Sequence, residues 1–119
     1  MRMLEVEYVS AVRGQAIEIV SSSGILRPKL RQLGAKRSLR MAILDNRFPS
    51  RRWRLKYSDE ADLARLLSSL RDLDLAFAYD QHGWSPAGVF EELRRKGLIV
   101  GSFAEIAWLG PDKPVITVK

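Results

Sequence analysis

Eight cations and a phenylalanine stand close enough in this chain to make a surface for phosphates: Lys36, Arg37, Arg40, Arg47, Phe48, Arg51, Arg52, Arg54 and Lys56. They belong to a segment, Arg27 to Lys56, that holds eleven of the twenty basic residues and one of the fourteen acids, Asp45. The segment nets +10, while the other 89 residues, nine basic and 13 acidic, net −4. A block of like charge repels itself in a compact chain and raises the local concentration of polyanions. Arg47-Phe48-Pro49-Ser50-Arg51-Arg52 sets an aromatic ring between guanidinium groups, a combination that stacks on a base while neutralising phosphates. Arginine exceeds lysine eight to three in the block. That ratio fits bidentate phosphate contacts and a GC-rich coding genome equally well. The plainer alternative is a solvated face whose charge is offset by Asp59, Glu60 and Asp62.

Other chemistry is thinly represented. Asp80 and His82, two apart in Tyr79-Asp80-Gln81-His82-Gly83-Trp84, have the types for an acid/base pair or for two metal ligands. No third ligand is evident, and a loop histidine bonded to the start of the next helix accounts for the pattern as well. A metal-dependent nuclease would need two carboxylates converging on an ion, and the acids here have no recognised spacing for that. Ser21 to Ser23 have no paired base to activate a nucleophile. Gly34-Ala35-Lys36-Arg37-Ser38 is no phosphate loop, because Lys29 stands where the first glycine belongs. The chain has no cysteine, which excludes disulfides, thiolate metal sites and thiol nucleophiles. No cofactor and no metal are expected.

The elements that must position the cations follow from apolar periodicity. Met3 to Val9 and Gln15 to Val20 alternate as two strands, with Ser10 to Gly14 breaking the pattern as a hairpin loop. Ile25 to Leu33 suggests a short helical turn against the bias of Pro28. Ser38 to Leu44 and Arg52 to Tyr57 also alternate, with Asp45, Asn46, Pro49 and Ser50 as turn residues. Pairing Ile43 with Trp53, Met41 with Leu55 and Leu39 with Tyr57 keeps the apolar side chains on one face and leaves Arg40, Arg54 and Lys56 together on the other. Asp59 to Arg71 reads as a helix, capped by Ser58 or Asp59, with Leu63, Leu66, Leu67 and Leu70 as its apolar stripe. Leu75, Phe77 and Tyr79 alternate as a central strand. Ser85-Pro86 starts a second helix and Gly97 ends it, with Trp84 expected to staple against Phe90. Phe103 to Leu109 and Val115 to Val118 form a last hairpin. Trp53 and Trp108 are expected as core anchors, although Trp108 before Gly110-Pro111 could mark an exposed edge used by a homodimer.

The order of elements predicts an α+β fold: a mainly antiparallel sheet of hairpins with two helices packed on one face. Residues 1–119 fit a single domain of ordinary composition, 46% hydrophobic and 29% charged. The helix ending Arg94-Arg95-Lys96-Gly97, followed by a hairpin with a Gly110-Pro111-Asp112-Lys113-Pro114 tip, resembles the winged-helix layout in outline. The three-helix core of that fold has no counterpart upstream, and no family is assigned. Neither a signal-peptide core nor an 18-residue apolar run occurs, so a cytoplasmic protein without a membrane partner is expected. The functional expectation is a small non-enzymatic nucleic-acid-binding protein, for DNA or RNA, that contacts phosphates through the basic hairpin face and loop. The alternative is a protein-interaction module, an inhibitor, immunity or accessory protein, whose basic patch docks on an acidic partner.

Overall fold

The computed structural model describes residues 7–21, 23–37, 52–79, 85–110 and 113–119. Within them the strands are β1 (Tyr8–Arg13), β2 (Ala16–Val20), β3 (Lys36–Arg37), β4 (Arg52–Lys56), β5 (Ala76–Ala78), β6 (Ala104–Trp108) and β7 (Pro114–Val118). The helices are α1 (Leu26–Leu33), α2 (Glu60–Asp72) and α3 (Pro86–Arg95). The strands join in one sheet in the order β3-β4-β2-β1-β5-β6-β7. All three helices send apolar side chains into one cluster with Val9, Ile17, Ile19, Trp53, Leu55 and Phe77 of the sheet. They therefore share one face. The α+β expectation holds at that level and differs in detail: the sheet is mixed, because β5 runs parallel to both β1 and β6, and there are three described helices.

Local chemistry accounts for the helices. Ser23 Oγ accepts from the Ile25 and Leu26 amides, both at 3.2 Å, and Pro28 is tolerated because the first turn of α1 needs no amide there. Asp59 caps α2 by accepting from Asp62 N at 2.8 Å, and the expected leucine stripe is buried. Ser85 caps α3, with proline at its first position. Its C-terminus closes as a Schellman motif, with Leu98 N donating to Leu93 O at 2.9 Å and Gly97 N to Arg94 O at 3.0 Å. Trp84 lies outside the described residues.

The first hairpin forms with a tighter turn than expected. β1 does not stop at Ser10; it runs to Arg13, absorbing a bulge between Val9 and Ala11. The turn is only Gly14 and Gln15, with φ of 60° and 57°, the two positive angles of a type I′ turn whose twist matches that of the strands.

The expected register of β4 is overturned. Trp53 lies between Ile19 of β2 and Arg37 of β3, so both its lateral positions are filled and Ile43 cannot be its partner. Residues 38–51 lie outside the described residues, and with them Leu39 to Leu44. The local pattern gave the face of β4 correctly and its neighbours wrongly. The winged-helix outline also fails: the strand after α3 enters the sheet parallel to β5, as a β-α-β unit. Trp108 is 43% exposed and meets Tyr8 edge to face at 5.9 Å, so it is no core anchor.

Trp53 is one. It is 3% exposed, its Nε1–H donates to Ser21 O at 3.1 Å, and the Arg31 guanidinium lies 6.0 Å from its ring centroid. Truncation of Trp53 to Ala should cost about 3–5 kcal/mol, seen as a lower urea midpoint. Trp53→Phe keeps a ring but strands the Ser21 carbonyl, and should cost about 1–2 kcal/mol. A Trp53→Ala midpoint equal to wild type would refute its anchoring role.

Candidate polyanion-binding face

Antiparallel partners project to the same side of a sheet, so register alone sorts the cations. Lys36 of β3, Arg54 of β4 and Glu18 of β2 form one row across the strands, and Lys56, Ala16 and Arg13 form the next. Arg52 is on the same face in the row with Val20. This face is opposite the helices. Lys36, Arg54 and Lys56 are exposed, and Arg52 is half-buried. Arg37 pairs with Trp53 and so belongs to the helix face, where Arg31 also lies. The structure therefore brings together four of the expected residues, Lys36, Arg52, Arg54 and Lys56, and places a fifth, Arg37, around the β3 edge. Arg40, Arg47, Phe48 and Arg51 lie outside the described residues.

Arg13 is the residue that sequence reasoning missed. The break from Ser10 to Gly14 places it in a loop; in β1 it stands beside Lys56 across Ala16. The signal was Gly14, which supplies a two-residue turn and lets Val12 and Arg13 continue the strand. The Arg54 guanidinium also reaches this turn, since a Cβ on Gly14 would sit 3.7 Å from Arg54 Nη2. Cations from β1 and β4 thus converge at one end of the sheet.

Glu18 is the acid embedded among them. It takes Arg13 Nε at 3.1 Å and Nη2 at 3.2 Å, and this bond and charge raise the Arg13 pKa above its ordinary value. The acids expected to neutralise the face are engaged elsewhere. Asp59 caps α2, Asp62 holds Arg65 at 2.6 Å, and Glu60 holds Lys96 at 2.7 Å. Among the described residues, no hydrogen bond or ion pair engages the side chains of Lys36, Arg54 or Lys56. Among the described residues, Glu18 is the acid in their rows and it is bonded to Arg13, so Lys36 and Arg54 stand opposed at a cross-strand cost of roughly 0.2–1 kcal/mol.

Among the described residues no group of three or more His, Cys, Asp or Glu could hold a metal ion, and Asp80 and His82 lie outside them. Glu91 and Glu92 pair with Arg94 at 2.6 Å and Arg95 at 3.0 Å on their own helix. No described helix is long and apolar enough to cross a membrane. No protein-family model, curated protein or solved structure matches the chain, so the reading rests on the geometry.

Glu18 provides a test with a distinctive sign. Glu18→Gln removes the embedded negative charge and frees Arg13, so the variant should elute from immobilised heparin at higher salt than wild type. Arg54→Gln should elute at lower salt. Loss of retention in Glu18→Gln, with folding intact by circular dichroism, would show that this face does not contact the polyanion.

Proposed function

We propose that this is a small, non-enzymatic, cytoplasmic nucleic-acid-binding protein that holds phosphates on the β3-β4-β2 end of its sheet. One observation carries the reading: Lys36, Arg54 and Lys56 stand exposed on one face, unpaired among the described residues, beside Arg13 at the same end of the sheet. The chain that joins β3 to β4 brings Arg40, Arg47, Phe48 and Arg51 to the same part of the sequence. Phosphates would displace the counter-ions condensed on the nucleic acid, so binding draws on salt release. Phosphate contacts position a protein without reading bases, and no sequence preference follows from them. Phe48 is the residue suited to stacking, which would favour unpaired bases.

With about five phosphates neutralised on duplex DNA, log K should fall against log salt with a slope near −4.5. Raising salt from about 50 to 200 mM should then weaken binding by roughly 10²–10³. Fluorescence anisotropy with labelled duplex and single-stranded oligonucleotides measures both. The double variant Arg54→Glu, Lys56→Glu should bind more weakly and with a shallower slope, by roughly 1.8 if both residues meet phosphates. Absence of binding at low salt, or binding indifferent to salt, would end the proposal. If the wild type ignores nucleic acids yet captures an acidic protein from nuclease-treated native lysate, and the double variant does not, the face is a protein-docking surface.

A further inference from the structure

The opposite margin of the sheet has a different character. Among the described strands β7 lies at the edge of the sheet, and Val115, Ile116 and Val118 are 41%, 55% and 74% exposed. Pro114 to Val118 contains no charge. Edge strands are usually blunted by charge, by proline in mid-strand or by a covering element, because their free amides and carbonyls template further pairing. Here the one proline is the first residue of the strand, and its only exposed-edge loss is an amide it does not have.

Backbone direction follows from the β6–β7 hairpin. Leu109 N donates to Lys113 O at 3.0 Å, and Lys119 N donates to Phe103 O at 2.8 Å. Odd-numbered residues of β7 therefore turn their amides and carbonyls toward β6, and Ile116 and Val118 turn theirs away from the sheet. Among the described residues, Ile116 and Val118 leave two donors and two acceptors on the edge, and the Pro114 carbonyl adds a third acceptor.

We propose that β7 pairs antiparallel with β7 of a second copy, with Thr117 opposite Thr117 of that copy, to join the two sheets. In this register each Ile116 faces the Val118 of the other chain. All outward amides and carbonyls of those residues then pair, giving four hydrogen bonds about a two-fold axis. Two Ile116 and two Val118 side chains meet on the face that also carries Trp108, while Val115 lies against Lys119 of the other copy. Charge permits it: no two lysines oppose each other, and Lys119 is already 3.8 Å from its own Glu105. The competing register, Ile116 against Ile116, also offers four hydrogen bonds, two of them from Val118 N to Pro114 O, but it sets each Val118 carbonyl against a proline ring with no amide to give. Proline thus disfavours that register. A five-residue edge is small beside the roughly 800 Å² per partner of a stable interface, so a weak, reversible dimer is expected.

The cysteine-free chain makes the register testable without nucleic acid. In a non-hydrogen-bonded antiparallel pair the Cα atoms are about 4.5 Å apart, within disulfide reach. Thr117→Cys should form a covalent dimer under mild oxidation, at least ten times faster than Val115→Cys, which faces Lys119 instead. Sedimentation velocity of the wild type from about 5 to 500 µM should show a monomer–dimer equilibrium, and Val118→Lys should shift its midpoint at least tenfold upward. A wild type that stays monomeric throughout, a dimer indifferent to Val118→Lys, or equal cross-linking of the two cysteine variants would overturn the proposal. The cross-linking comparison stands even if Val118→Lys perturbs folding.

Discussion

The register of β4 is the constraint on which this structure depends. Trp53 and Leu55 must face the helices, because with Val9, Ile17, Ile19 and Phe77 they form part of the sheet's share of the core. A slip of one residue would turn both outward and carry Arg52, Arg54 and Lys56 among the leucines. Burying even one unpaired cation costs several kcal/mol, against a total stability of about 5–15 kcal/mol for a domain of this size. The apolar requirement therefore fixes where the charges go. The Trp53 indole bond to the Ser21 carbonyl and the Arg31 guanidinium over its ring hold that choice in place.

Helix chemistry shapes the site indirectly. Asp59, Glu60, Asp62, Glu91 and Glu92 serve caps and short-range pairs on α2 and α3, and Glu60 ties the two helices through Lys96. Such surface pairs contribute about 0–1 kcal/mol each. Their larger effect is spatial. With those acids matched to helix cations, the end of the sheet near β3 and β4 keeps a positive field among the described residues, which Glu18 tempers from within its rows.

Sequence pattern revealed faces more readily than neighbours. The alternation of Arg52 to Tyr57, the leucine stripe of α2, the Ser85-Pro86 start and the Gly97 stop are short-range devices, and each appears where periodicity or capping rules put it. The pairing of β4 with β2 and β3, and the insertion of β5 between parallel neighbours, depend on contacts between distant segments that leave no local trace. A bulge interrupts the alternation of β1, so periodicity ends the strand early and leaves Arg13 away from the other cations. Trp108 misled for a related reason: its strand is well formed, but near the sheet margin an alternating residue can face water. Part of the candidate site was therefore legible as charge on a face, and the rows that assemble it were not.

The two margins of the sheet differ in a way that bears on how far it could grow. β3 is two residues long, both of them cations, and Lys36 lies opposite Arg54, a poor template for another strand; β7 is longer, uncharged and mostly apolar. If two copies join through β7, both outer margins of the combined sheet, among the described strands, are β3 edges, and a third copy would have to add a strand against concentrated positive charge. Assembly would then stop at a closed pair, where a chain with two receptive edges would propagate as a filament. Charge at one end of the sheet would act as a terminator for association at the other.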